Sequence, residues 1–240
     1  MFILEALDWM IAIYVLAAIL PAIFLMRYIY RMDTYEKEPA YLLWGCVLRG
    51  VLAALVSIIL EMIGENLLGI SPVDKNSVTY TALLAFLVVA VVEEGTKYYF
   101  MGRLTWHDPN FNYLFDAIVY SAFTSLGFAA FENVKYVFTY GLGVALTRAV
   151  LAVPGHLGFS VVFGYFYGRA KLAYDRGSRA GSVVNIIIGY ALAVFLHGFY
   201  DFCAMMNTSQ SMELFIAFVV IMYIVIILLI RRQSRNNRPV

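Results

Sequence analysis

Long apolar runs separated by short polar stretches dominate the chain. Seven runs, at about residues 4–30, 41–68, 80–101, 114–138, 142–168, 183–204 and 212–230, meet the need for about 20 apolar residues in a helix that crosses a bilayer. The pattern predicts an all-α, polytopic transmembrane helix bundle of about seven spans. Residues 1–230 form one bundle domain on this reading, because the connections are short and polar. Residues 231–240, RRQSRNNRPV, are too polar to pack and are expected to form a disordered basic tail.

Composition supports the membrane reading. The chain is 62% hydrophobic and 14% charged, against about a quarter charged in soluble domains. A net charge of +1 without a basic patch gives no footing for nucleic acid. Cys46 and Cys203 fall inside apolar runs, so no disulfide framework is expected. Glu5 and Asp8 stand where a signal peptide would carry basic residues, so the first run is expected to be retained as a span.

Basic residues set the orientation. Of 17 Lys and Arg, 12 fall on one side of a seven-span bundle: Arg27, Arg31, Lys37, Arg103, Arg169, Lys171, Arg176, Arg179, Arg231, Arg232, Arg235 and Arg238. Only Lys75 and Lys135 fall on the other, and Arg49, Lys97 and Arg148 lie within spans. This predicts a multi-pass protein of the cell membrane with its N-terminus outside and its C-terminus cytoplasmic.

Ionisable residues inside spans are costly and mostly face a bundle interior, where they pair or do chemistry. They concentrate in spans three to six. Span three ends in VVEEGTKY (91–98), where Lys97 lies four residues after Glu93 and three after Glu94, within reach of both on a helix. A structural ion pair is the plain reading, yet one lysine cannot neutralise two glutamates. The sharper reading is a pair whose proton affinities are pushed apart, leaving one carboxylate to act as a base. Span four carries GFAAFENVKY (127–136), with Glu132 and Asn133. There Lys135 is a candidate neutraliser of Glu132, and Ser121, Thr124, Ser125, Gly127, Ala129 and Ala130 suit close helix approach. Asp116 opens this span and reads as a charge at a helix N-terminus.

Span five holds Arg148 and His156, the latter after Pro154 and Gly155, and span six holds LHGFYD. His197 and Asp201 are four apart on one face, the spacing that lets a carboxylate orient an imidazole. Glu61 and Glu65 near the end of span two read as interfacial charges. The first loop, DTYEKEP (33–39), reads as a solvated linker.

Counting about 1.5 Å per residue from the outer ends places Glu93 and His156 roughly 20 Å deep, His197 nearer 10 Å and Glu132 shallower still. All four can converge on one cavity in the middle-to-outer half of the membrane. Two carboxylates and two imidazoles suit activation of water, with a carboxylate as base and a histidine stabilising the oxyanion. Glu93, Glu132, His156 and His197 could equally ligate zinc, although no HExxH occurs. Spacing alone does not choose between them. Two adjacent carboxylates with one lysine look better arranged for shifting a proton affinity than for closing a coordination shell. Ser160, one turn past His156, is a possible nucleophile in an unremarkable local sequence, and Cys203 lies on a different helical face from His197.

In this order, DTYEKEP, EEGTK, GFAAFEN, the isolated His156 and HGFYD resemble the PrsW-type intramembrane proteases, relatives of the CAAX prenyl endopeptidase and Abi superfamily. The resemblance runs from about Asp33 to Asp201. It differs from the superfamily in carrying Lys97 where EExxxR has arginine, and Asp201 where HxxxN has asparagine. The resemblance implies an intramembrane endopeptidase that cuts membrane-anchored protein substrates, such as an anti-sigma factor, on the extracytoplasmic side. It implies a water-activating role for Glu93 and Glu94, with Glu132, His156 and His197 as partners and Lys97, Asn133 and Asp201 in support. Whether zinc takes part stays open. The competing readings are a proton-coupled transporter or channel using the buried Glu, Lys and His, and an idle scaffold for membrane helices. No internal repeat of the kind that transporters often carry is visible.

Overall fold

The computed structural model describes residues 2–240, with side chains from Trp9 onward; the side chains of Glu5 and Asp8 lie outside the described residues. Among the described residues the fold is helical, apart from one isolated bridge between Tyr113 and Pro239. The helices are α1 (Phe2–Met32), α2 (Ala40–Gly69), α3 (Val78–Leu83), α4 (Val91–Thr105), α5 (Asp116–Tyr140), α6 (Gly143–Val150), α7 (Ala152–Asp175), α8 (Arg179–Met206) and α9 (Ser209–Arg235). A π-helical stretch, Leu84–Ala90, joins α3 to α4 without a break. The chain thus makes seven helical passes, with α3–α4 and α6–α7 each counting once.

Six passes are long and apolar enough to cross a membrane. The seventh, α5, has 25 residues and is ~37 Å long, but it is less apolar because it never meets lipid along most of its length. Every residue from Asp116 to Ala129 is buried, enclosed by α1, α2 and α7. Small residues permit that enclosure, as the sequence suggests. A Cβ on Gly50 of α2 would lie 1.9 Å from the Thr124 carbonyl oxygen of α5, and one on Gly127 of α5 would lie 2.4 Å from the Val47 carbonyl oxygen of α2. Backbone contact of this kind is how helices associate where lipid removes the hydrophobic drive. The outer faces carry large exposed apolar side chains such as Phe24, Trp44, Leu87 and Ile221.

The terminal residues differ from the disordered tail expected for 231–240. Helix α9 continues to Arg235, and the residues after it lie against the loop before α5. Asn237 Oδ1 accepts from the Phe115 N–H at 2.9 Å, and the Leu114 N–H donates to the Arg238 carbonyl at 3.0 Å. Polar side chains and backbone groups satisfy one another there, which a composition argument does not register. The loop at 33–39 is likewise packed: Asp33 and Glu38 are buried, and Lys37 Nζ donates to the Tyr30 and Asp33 carbonyls. Asp116, read as a simple helix-end charge, accepts from the Asn112 and Tyr113 N–H groups at 3.1 and 2.6 Å.

Candidate active site

The site begins with local spacing on α4. Glu93, Glu94 and Lys97 sit in its first two turns, directly after the π-helical stretch, and such stretches recur at functional sites because the extra residue re-aims side chains. Lys97 Nζ donates to Glu94 Oε1 at 2.7 Å and lies 3.3 Å from Glu93 Oε2, so it reaches both carboxylates. Its third neighbour comes from another helix: Nζ lies 3.1 Å from His156 Nδ1 and also faces the Phe128 ring, 4.2 Å from its centroid.

This contact fixes His156. An ammonium has only donors, so Nδ1 accepts from Lys97 and the ring proton resides on Nε2, which donates to Glu132 Oε2 at 3.0 Å. Glu132 is held in turn by Arg148 Nη2 at 2.8 Å, while Arg148 Nε donates to Asn133 Oδ1 at 2.9 Å. Asn133 Nδ2 donates to the Ala18 carbonyl of α1 at 2.7 Å. The partner of Glu132 is therefore Arg148 and not Lys135, whose Nζ sits over the Tyr136 ring. A bidentate-capable guanidinium on the next helix outcompetes a lysine on the same one whose ammonium sits over an aromatic ring.

His197 completes the centre. Its Nδ1 is 2.8 Å from Glu94 Oε1, and its Nε2 is 3.3 Å from Asp201 Oδ2 and 3.9 Å from Glu93 Oε2. The His197–Asp201 pairing is the one that the spacing of four suggests. Phe159 stacks on the His197 ring at 4.8 Å, and the two imidazole centroids are 5.4 Å apart. All four residues expected to converge do so, but without the difference in depth that counting gives. The cause is a break at Leu151, where α6 ends and α7 begins. His156 is only four residues beyond the start of α7, so the preceding residues do not add depth as one continuous span would.

A cavity of about 730 Å³ opens beside this centre. Its lining draws Glu65 from the end of α2, Tyr136 from the end of α5, Asp201 from α8 and Met212 from the start of α9, so it faces the bundle end holding the 70–77, 141–142 and 207–208 connections. Glu93, Glu132, His156, His197 and Asp201 all reach it; Glu94 and Lys97 do not. The adjacent carboxylates therefore differ. Glu94 is fully buried, with Oε1 held by Lys97 at 2.7 Å and His197 at 2.8 Å, whereas Glu93 lines the cavity and meets Lys97 and His197 only at 3.3 and 3.9 Å. Glu61, read as an interfacial charge, also lines the cavity. Ser160 is buried and donates to the Leu157 carbonyl of its own helix, and Cys203 is a buried free thiol away from that lining.

Comparison with known proteins agrees with this arrangement of motifs. The profile of the family described as "PrsW family intramembrane metalloprotease" matches residues 38–230. The chain belongs to the PrsW family. It is similar to Protease PrsW of Geobacillus kaustophilus (strain HTA426), 32% identical over 185 residues that cover 77% of this chain and 76% of that protein. Protease PrsW of Bacillus subtilis (strain 168) is 30% identical over 205 residues, 85% of this chain and 88% of that protein. Protease PrsW of Shouchella clausii (strain KSM-K16) is 29% identical over 221 residues, 92% and 97% of the two chains. No solved structure matches. As a PrsW member, the chain is an intramembrane protease.

The PrsW family description implies a metal. Glu93, Glu94, His156 and His197 offer ligand atoms within 4.8 Å of one another, and these residue types suit zinc. Their arrangement does not. Lys97 Nζ lies among them and takes up Glu94 Oε1, Glu93 Oε2 and His156 Nδ1, while His197 Nδ1 is spent on Glu94. A zinc ion there would set two cations within a few ångströms and break the pairings that orient both imidazoles.

Proposed function

We propose that the chain hydrolyses a peptide bond in a membrane-anchored protein substrate, such as an anti-sigma factor, with water activated by Glu93. The observation that carries this reading is the asymmetry of the glutamate pair: Glu93 alone lines the cavity and accepts no side-chain hydrogen bond, only the 3.3 Å ion pair with Lys97, while Glu94 is held by both Lys97 and His197.

In the proposed reaction an extended substrate segment enters the cavity. Glu93 takes a proton from a water as its oxygen bonds to the scissile carbonyl carbon. His197, whose Nε2 has the longest contacts in the cluster, donates to the oxyanion. As the C–N bond breaks, Glu93 returns the proton to the leaving amine, so no net proton is consumed. Glu94 and Lys97 hold the layer beneath: Lys97 draws Glu93 and Glu94 together and fixes the His156 tautomer. Glu132, Arg148 and Asn133 hold the other side of His156. Fixed donors and acceptors of this kind stabilise developing charge without reorganising. No step needs a metal, because the ammonium of Lys97 supplies the positive charge at the centre.

The distribution of basic residues supports a cell-membrane orientation with the cavity end outside, so cleavage falls on the extracytoplasmic side. The test is Glu93→Gln, an isosteric change, assayed with a single-span anti-sigma factor co-reconstituted in proteoliposomes. Cleavage should fall by at least ~10³-fold, the scale of an essential acid–base group, with folded yield unchanged. Activity surviving in a folded Glu93→Gln protein contradicts the reading.

A further inference from the structure

We propose that Glu61 of α2 is a positioning residue for the attacking water, holding it against Glu93 from the opposite wall of the site. The proposal rests on the reading of Glu93 as the base.

Three observations meet at this point. Glu61 Oε1 is buried with no hydrogen-bond partner, and so is Glu93 Oε2. Both residues line one small space of about 10 Å³, together with Ser57, Phe128, Glu132 and Lys135. That space is roughly what one water needs, ~10–15 Å³ with two or more polar partners. The third observation is that the other oxygen-bearing side chains in its wall, Ser57 and Glu132, are already engaged. Ser57 Oγ pairs with Thr96 Oγ1 at 2.7 Å, Glu132 is engaged by Arg148 and His156, and Lys135 lies over Tyr136. The acceptors left without a hydrogen bond are Glu61 Oε1 and Glu93 Oε2, the latter facing Lys97 Nζ at 3.3 Å.

An acceptor left unpaired in a buried site costs on the order of 1–3 kcal/mol, and a water with two hydrogens satisfies both. One O–H points at Glu93 Oε2 and is the proton that transfers. The other points at Glu61 Oε1 and stays on the water, so Glu61 gains no proton and works in any state that leaves an acceptor oxygen. With both hydrogens directed at carboxylates, the lone pairs of the water face away from them, toward the cavity where a scissile carbonyl enters. Glu61 also lines the large cavity, so the water site lies at the junction of the two spaces. On this account Glu61 raises kcat through orientation and does little for substrate affinity.

The test compares Glu61→Gln, which keeps an acceptor oxygen, with Glu61→Met, which keeps length and loses it. In proteoliposomes with the anti-sigma factor, Glu61→Met should lower kcat by ~10- to 100-fold, the scale of lost positioning, with KM within about twofold. Glu61→Gln should stay within about threefold of wild type on the same scale. Wild-type kcat in the Met variant, an equal fall in both variants, or a change confined to KM overturns the proposal. If the Met variant does not fold, wild-type density that resolves buried water decides. A water within about 3.2 Å of Glu61 and of Glu93 supports the assignment, and side-chain contact that closes the space overturns it. An inactive Glu93→Gln with a fully active Glu61→Met removes Glu61 and leaves the base in place. An active Glu93→Gln removes the base itself.

Discussion

Two clusters of buried carboxylates lie toward opposite ends of α5, and only one resembles a site of chemistry. Near the N-terminus of α5, Asp33, Glu38 and Asp116 are 0%, 5% and 1% exposed. The partners of Glu38 and Asp116 are a phenol and backbone N–H groups: Tyr120 donates to Glu38 Oε2 at 2.8 Å, and Asn112 and Tyr113 donate to Asp116, while the Asp33 oxygens accept no hydrogen bond. The one lysine nearby spends its ammonium on backbone carbonyls. Toward the other end, Glu93, Glu94 and Glu132 share Lys97, Arg148 and two imidazoles, and a cavity of about 730 Å³ reaches Glu93 and Glu132. Burial of acids is therefore common to both. What separates them is cationic and imidazole partners drawn from several helices beside a cavity that reaches two carboxylates at once. The first cluster ties the 33–39 loop to α5, and the second is poised to act on something that enters.

The largest expected effect breaks this comparison at its cations. Lys97→Met leaves two buried carboxylates without their common partner, so it should destabilise the fold by about 3–5 kcal/mol and abolish cleavage. Tyr120→Phe at the other cluster removes one neutral donor and should cost about 1–3 kcal/mol with cleavage retained. Thermal unfolding in detergent, read beside proteoliposome cleavage, separates the two. Equal losses in both variants would mean that the clusters do not differ as described.

A smaller effect comes from pH. Burial pushes the Asp33 carboxyl up to about 6, partly offset by Lys37. Burial, with the Asp116 charge second, pushes Glu38 up to about 9. An unfolded carboxyl titrates near 4, so above that pH the folded state holds protons that the unfolded state has lost. Stability contributed by the neutral forms is full below about 4 and is lost as pH rises through 6 and then 9. Thermal stability should therefore decline from pH 5 to pH 10, and Glu38→Gln should flatten the upper part of that decline. A profile that rises over this range contradicts the assignment.

Much of this was legible in the chain because it is local. The seven passes follow from apolar length. Lys97 meeting Glu93 and Glu94, and His197 meeting Asp201, follow from helical spacing. Pairs between helices are not encoded that way: nothing in the residues around Arg148 signals Glu132, and nothing near His156 signals Lys97. Pro154 marks the break at Leu151, since it has no N–H for the Val150 carbonyl, but it does not say how the helix before it is displaced; the π-helical stretch before Glu93 carries no proline or glycine signal at all. Glu61 looked interfacial because its position in the sequence says only that it is near a helix end, not which wall that end forms. The order at Glu38 and Asn237 has no sequence signal, because polar residues that satisfy one another have the composition of loops.

The central claim is that the positive charge at the heart of the site is the ammonium of Lys97 and that Glu93 activates water without a metal. Metal analysis of purified, cleaving protein, paired with activity before and after a strong chelator, tests it most directly. The account predicts substoichiometric zinc and cleavage that the chelator leaves unchanged. Stoichiometric zinc that leaves in step with activity, and restores it on return, would contradict the account.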